Sequence, residues 1–266
     1  MTTDPETIGM VAGWLHEARS VVVLTGAGVS AESGLPTFRD PEVGLWAEYD
    51  PMELATIGAF ERDPELVTRW YHWRFTKSRD VRPNPGHDAL ARLEALLNAR
   101  APGGAPPFTL ITQNIDGLHQ RAGSRRVVEL HGSFHRWRCT RTGREKDLAD
   151  LSFDRFPVVS DAGGLMRPCV VWFGETLPPE ALEASFDALA RCDLFLSVGT
   201  SATVHPAAGL IEIARAAGAR TVEINKDPTA NTDAVDAAIG GLSGSVLPDL
   251  LRRMDELASG APARDT

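Results

Sequence analysis

At 266 residues, 43% hydrophobic, with 24 Gly and 18 Pro, the chain can bury a full core and sits at the upper size of one compact domain. A formal charge of −9, from 27 Lys and Arg against 36 Asp and Glu, argues against a general basic face for nucleic acid or anionic lipid, so the expected partner is a small molecule or a basic protein segment. No apolar run approaches the ~20 residues of a membrane span, and the polar start MTTDPETIG is neither a basic leader nor a lipidation signal. Cys139, Cys169 and Cys192 are odd in number and far apart, which speaks against a disulfide framework and for a reduced, soluble, cytoplasmic protein.

In chain order, the β-branched runs VVVLT (21–25), FTLIT (108–112), LFLSV (194–198) and TVEI (221–224) read as buried strands of a parallel sheet. Between them lie helical stretches at Glu65 to Lys77, His87 to Ala99, Pro179 to Arg191 and Ala207 to Ala217. Strand–helix alternation predicts an α/β, doubly wound, Rossmann-like core with helices on both faces. Residues 1–39, 81–132 and 170–257 are assigned to it. Residues 133–169, rich in Arg, Asp and Gly, break the pattern, and with 40–80 they are expected to form a second, smaller lobe made of two insertions. Residues 258–266 are a small, polar, flexible tail.

VVVLT runs into Gly26-Ala27-Gly28-Val29-Ser30-Ala31, a G-x-G-x-x-A turn opening a helix, where absent side chains let backbone amides approach a pyrophosphate. A tight turn that needs glycine for packing explains the same residues. The dehydrogenase reading also needs a second strand ending in an acidic residue about 20 positions on. Thr37-Phe38-Arg39-Asp40 and the broken stretch PEVGLWAEYD stand there instead, so the turn belongs to a non-dehydrogenase nucleotide site. Gln113-Asn114-Ile115-Asp116 follows a strand's carboxyl end, where α/β sheets bind ligands; a plain helix cap is the alternative for Asn114 and Asp116. Gly199-Thr200-Ser201 and Asn225-Lys226-Asp227 end two more strands on the same edge.

GAGVSAESGLPTFRD (26–40), TQNIDGLHQRAG (112–123), ELHG (129–132), VVWFGE (170–175) and GTSATVHPAA (199–208) stand in an order that resembles the signature blocks of the sirtuin family, across residues 8 to 255. The resemblance implies an NAD-dependent protein-lysine deacylase that yields nicotinamide, O-acyl-ADP-ribose and free lysine, with acyl-lysine proteins or peptides as partners. It puts the pyrophosphate on Gly26, Ala27 and Gly28, and it places Phe38 and Arg39 in a loop over the ribose. Glu32, Thr37, Trp46 and Gln113 are carried into the cofactor site with them. Asn114, Ile115 and Asp116 fall at the nicotinamide-ribose end, with Asn114 counted among the catalytic residues. Gly199, Thr200, Ser201, Asn225, Lys226, Asp227 and Ser243 surround the adenosine half. His131 becomes the base that takes a proton from a ribose hydroxyl, a task an imidazole with an ordinary pKa near ~6.5 can perform at neutral pH. Val171, Phe173 and Gly174 are expected to contact the peptide, with VVWFGE pairing to it as a strand.

Tyr71-x-x-Arg74 puts a phenol and a guanidinium on one helical face and resembles the pair that marks class III sirtuins, in which a succinyl- or malonyl-lysine carboxylate is bound. Most sirtuins hold a structural zinc with two CxxC pairs. Here only Cys139 remains, with Thr142, Val159 and Ala162 at the other positions, and one thiol cannot supply a tetrahedral site. No metal is expected, and Trp137, Leu148, Leu151, Phe153, Phe156 and Leu165 should hold that lobe by apolar packing. Mono-ADP-ribosyl transfer and a catalytically silent NAD-binding module are the competing readings.

Overall fold

A computed structural model describes residues 4–35, 49–101 and 106–259. Along the chain run α1 (Pro5–Glu17), β1 (Val21–Thr25), α2 (Ala27–Ala31), α3 (Pro51–Leu54), α4 (Ile57–Arg62), α5 (Pro64–Arg79), α6 (Pro85–Arg100), β2 (Phe108–Thr112), α7 (Leu118–Arg121) and β3 (Val127–Glu129). There follow β4 (Gly132–Cys139), β5 (Glu145–Asp147), β6 (Met166–Val170), α8 (Pro179–Leu189), β7 (Leu194–Val198), α9 (Leu210–Ala216), β8 (Arg220–Asn225), β9 (Ala237–Gly240) and α10 (Ser243–Ser259).

The main sheet has six strands in the order β3-β2-β1-β7-β8-β9, and every pairing in it is parallel. Its central strands are buried throughout, and successive side chains point to opposite faces. Val21 and Val23 accordingly join the cluster under α1, α6 and α10, whereas Val22 and Leu24 join the one under α8 and α9. A strand with water on one face would alternate with polar residues; these are mostly apolar, and their few hydroxyls, Thr25, Thr109, Thr112 and Ser197, are buried.

Three helices start on the same local chemistry. Asp4, Asp63 and Asn84 each precede a proline and accept hydrogen bonds from first-turn amides, while the proline occupies a position whose missing N–H has no intrahelical partner. In α6 the His87 ring closes a capping box by accepting from the Asn84 amide.

A second, antiparallel sheet, β5-β4-β6, spans Gly132 to Val170 and shares a core with α3, α4 and α5. Its centre is aromatic. Trp70, Tyr71, Trp137 and Trp172 are all fully buried, and Leu148 joins them while Leu151, Phe153 and Leu165 pack against the same cluster. The His72 ring stacks on Phe153 at 4.2 Å, Phe153 meets Trp137 edge-on at 5.4 Å, and the Arg69 guanidinium lies 4.5 Å over Phe156. These contacts tie 153–156 to α5 and β4.

This sheet and β9 carry no clear strand signal in the sequence. β4 carries a register shift between Ser133 and Trp137, which spoils the period-2 pattern of its burial. β9 is a four-residue edge strand, Ala-Ala-Ile-Gly, in which only Ile239 favours a strand. At the other end, Ala258 and Ser259 still belong to α10. No helix among the described residues is long and apolar enough to cross a membrane.

Candidate active site

Parallel pairing brings the carboxyl ends of β3, β2, β1, β7 and β8 to one edge of the sheet, so the loops that follow them become neighbours. The turn after β1 packs directly on the turn after β7. A Cβ on Gly26 or Gly28 would come within 2.9 and 2.7 Å of the Gly199 carbonyl oxygen, and one on Gly199, at φ +60°, within 2.6 Å of Val29 N. The amides of Gly26 and Gly28 donate to the carbonyls of Val198 and Gly199. Glycine is therefore required here for backbone approach between two loops, which is the packing explanation of the motif, and the same approach sets both loops at one cleft.

Asn114 ties the next loop in. Its Nδ2 donates to the Gly26 carbonyl at 3.0 Å and to Ser30 Oγ at 3.1 Å, and Ser30 Oγ donates to Asp116 Oδ2 at 2.7 Å. Asp116 Oδ1 accepts from Leu118 N at 2.9 Å, so Asp116 also serves as a turn residue ahead of α7. Burial raises the Asp116 carboxyl above its ordinary range, against the bonds from Leu118 and Ser30 and the charges of His135 and Arg74. From β4, Phe134 N donates to the Ile115 carbonyl, and His135 Nε2 bonds the Asp116 carbonyl at 2.9 Å. Ser30 was missed in the sequence. A small polar residue in the first turn after a glycine motif looks like helix surface, and nothing local shows that Asn114 and Asp116 both reach it.

His131 follows β3. Its Nδ1 lies 3.0 Å from the Gln113 carbonyl oxygen, which can only accept, so Nδ1 carries the proton and Nε2 keeps the basic lone pair. Burial lowers the imidazole below its ordinary value, and the Gln113 bond opposes that shift. Gly132 beside it, at φ +72°, is obligatory: a Cβ there would sit 2.0 Å from the Cys169 carbonyl oxygen.

At the other end of the edge, Asn225 Nδ2 donates to the Thr200 carbonyl at 2.8 Å, and Ser201 Oγ pairs with Thr203 Oγ1 at 2.8 Å. Lys226 and Asp227 are exposed just beyond β8. Glu32 and Ser243 meet each other: Ser243 Oγ and the Gly244 amide both donate to the Glu32 carboxylate, at 2.5 Å and from 3.0 Å. Thr37, Phe38, Arg39 and Trp46 lie outside the described residues.

On the side facing β4 and β6, the stretch expected to pair with a peptide as a strand begins in β6 and continues beyond it with one isolated parallel bridge, Phe173 to Thr56. β6 ends at Val170, and residues 171–175 form a turn whose amides are already engaged: Val171 N to His131 O, Phe173 N to Ala55 O, and Glu175 N to Trp172 O, each at 2.9 Å. Gly174 takes φ +87° in this turn, and Phe173 stays 40% exposed next to the Thr56 bridge. Any pairing with a peptide must use the remaining backbone of this turn. Tyr71 is fully buried, and its hydroxyl accepts from Trp172 Nε1 at 2.9 Å. Burial raises its pKa, and the charge of Arg74 is the first influence against that rise. The Arg74 guanidinium also lies 5.1 Å from the Trp70 ring centroid.

The chemistry of this edge, two amides, a carboxylate, an imidazole and several hydroxyls beside a glycine turn, suits a ligand with a pyrophosphate, ribose hydroxyls and a carboxamide. The Sir2 family profile matches residues 26–206, which include the glycine turn, the Asn114 to Asp116 loop, His131 and the 171–175 turn. The chain belongs to the Sir2 family. One relative, "NAD-dependent protein deacylase 2" of Pyrobaculum aerophilum, is 52% identical over 92% of this chain and 94% of its own length. A Sir2 homolog solved as an NAD complex superposes with a TM-score of 0.85 at 42% identity, covering 93% of this chain and 94% of that one. A Sir2 variant with a deacetylated p53 peptide and 3'-O-acetyl ADP-ribose superposes with a TM-score of 0.80 at 32% identity, covering 92% and 97%.

At the positions where the resemblance expects zinc-binding cysteines stand Cys139, Thr142, Val159 and Ala162. Cys139 Sγ faces Ser160 Oγ at 3.0 Å, and Val159 is 59% exposed. Thr142, Arg144, Lys146, Ser160 and Asp161 join Cys139 around a cavity of about 300 Å³. Among the described residues there is no group of three or more His, Cys, Asp or Glu that could hold a metal. These residues do not fit a tetrahedral zinc.

Proposed function

We propose that this Sir2 protein is an NAD-dependent protein-lysine deacylase with a preference for succinyl- and malonyl-lysine, and that it works without a structural zinc. The deacylase reading rests above all on His131, whose Nδ1 is pinned to the Gln113 carbonyl and whose Nε2 is left as a base beside the loop that carries Asn114 and Asp116. NAD, when bound, supplies the ADP-ribose that accepts the acyl group as nicotinamide leaves. The chain's own part is positioning and proton transfer.

Gly26, Ala27 and Gly28 would lie along the pyrophosphate, Asn114, Ile115 and Asp116 at the nicotinamide ribose, and Thr200, Ser201 and Asn225 at the adenosine half. Asn114 and Ser30 hold the Asp116 loop against the glycine turn, so the two ends of the cofactor are fixed relative to each other. His131 Nε2 takes the proton of a ribose hydroxyl. Val171, Phe173 and Gly174 contact the peptide. The acyl preference is carried by Tyr71 and Arg74: a carboxylate entering a dry pocket needs a cation and a donor, and an acetyl group needs neither.

A panel of one peptide carrying acetyl-, malonyl-, succinyl- and glutaryl-lysine, assayed with NAD for free lysine and O-acyl-ADP-ribose, tests both parts. Turnover of the acidic groups above acetyl is expected. Acetyl turnover alone would leave a plain deacetylase, and ADP-ribosylated protein without O-acyl-ADP-ribose would replace the reading by mono-ADP-ribosyl transfer.

A further inference from the structure

Trp172 is held on three sides and in turn holds Tyr71. Its backbone amide donates to Glu175 Oε2 at 2.8 Å. The Arg167 guanidinium lies 3.4 Å from its ring centroid, and the Phe60 ring packs at 5.2 Å. Arg167 is fixed by two parallel bonds to Glu175, at 2.7 and 2.8 Å, and by a third to the Val170 carbonyl at 3.1 Å. Both members of that ion pair are shielded, with side-chain exposures of 9% and 15%. A bidentate guanidinium–carboxylate pair holds its geometry firmly, and here it clamps the indole from below.

What the clamped indole does is donate. Trp172 Nε1–H, which has no acceptor capacity, points at the Tyr71 hydroxyl oxygen at 2.9 Å. That fills one acceptor position of the phenol and forbids its own proton from turning toward Trp172. The O–H must then point elsewhere in a buried setting where the charge of Arg74 is the leading electrostatic neighbour.

We infer that Trp172 is a specificity-determining positioning residue: by holding the Tyr71 oxygen, it presents the phenol proton to the free carboxylate of an acidic acyl-lysine next to Arg74. The inference rests on the acyl preference proposed above. With phenylalanine at 172 the rotor is released and the phenol oxygen loses its donor, which weakens recognition of a carboxylate but offers no comparable loss to an uncharged acetyl group.

The experiment is kcat/KM for matched succinyl and acetyl peptides on wild type, Trp172→Phe, Tyr71→Phe and the double variant. Trp172→Phe should lower the succinyl-to-acetyl ratio by about three- to tenfold, the size of one net hydrogen bond. In the Tyr71→Phe background the same change should move the ratio by less than about twofold, because the residue acts through the hydroxyl. Replacement of Trp172 by 3-benzothienylalanine keeps the bicyclic shape and lacks the N–H, so it should reproduce the drop even where phenylalanine disturbs the fold. An unchanged ratio in the isosteric variant, with wild type still preferring succinyl, overturns the positioning role and leaves the acyl reading standing. A drop that persists undiminished without the Tyr71 hydroxyl also overturns it, assigning the effect to packing. A wild type with no preference for acidic groups removes the acyl reading and this inference together.

Discussion

His131 Nδ1 bonds the main-chain carbonyl of Gln113, 18 positions earlier, and so the ring's tautomer is decided by a neighbouring strand end, not by the histidine's own segment. His131→Ala should abolish deacylation while NAD binding, followed by calorimetry, stays near wild type, since the glycine turn is untouched. Near-normal turnover in that variant would remove His131 from the mechanism.

Burial lowers the His131 imidazole below its ordinary value, which makes the free base persist to lower pH. The acidic limb of the kcat/KM profile should therefore fall at a pH below about 6.5. A limb centred above that value would contradict the environment seen here.

Arg74→Met should weaken desuccinylation by roughly ten- to a hundredfold, because losing a charge-assisted hydrogen-bond set costs about 1.5 to 3 kcal/mol, and it should weaken deacetylation far less. Tyr71→Phe removes a hydroxyl only, so a smaller change in the same direction is expected. Equal losses on both substrates would mean that the pair shapes the pocket without reading the carboxylate.

The purified protein should contain no stoichiometric zinc, and a chelator should leave its melting temperature and activity unchanged, since Cys139 faces a serine hydroxyl and Thr142, Val159 and Ala162 offer no thiolate. About one zinc per chain by elemental analysis would refute this.

His87 and His119 lie side by side in the interior, with ring centroids 4.8 Å apart, and burial pulls them down to about 4 and about 3. Both folded values lie below the unfolded ~6.5, so the unfolded chain binds protons that the folded chain does not. Their contribution to stability is full above about pH 6.5 and is lost as pH falls through the folded values. Urea unfolding at pH 7, 6, 5 and 4.5 should show stability falling by up to about 1.4 kcal/mol per pH unit for each histidine. Replacing one of them by glutamine should flatten that slope, and an equal slope in the variant would place the acid sensitivity elsewhere.

VVVLT, FTLIT and LFLSV were legible as central strands because a strand covered on both faces is a short, mostly apolar run with only small hydroxyl residues interspersed, a pattern visible in five consecutive letters. The site loops were legible for a related reason: each follows such a strand, and parallel pairing sends all their ends to one edge. Along the chain alone, however, Tyr71 and Trp172 are 101 positions apart, and Glu32 and Ser243 are 211 apart, yet each pair shares a hydrogen bond. Ser30 between Asn114 and Asp116, the bond from Phe173 N to the Ala55 carbonyl, and the aromatic contacts that join α5 and β4 through Phe153 are of the same kind. Secondary structure follows local backbone and burial preferences that a short window of residues expresses. The partner of a buried polar atom is chosen by whichever side chain tertiary packing brings within about 3 Å, and no local preference encodes that distance.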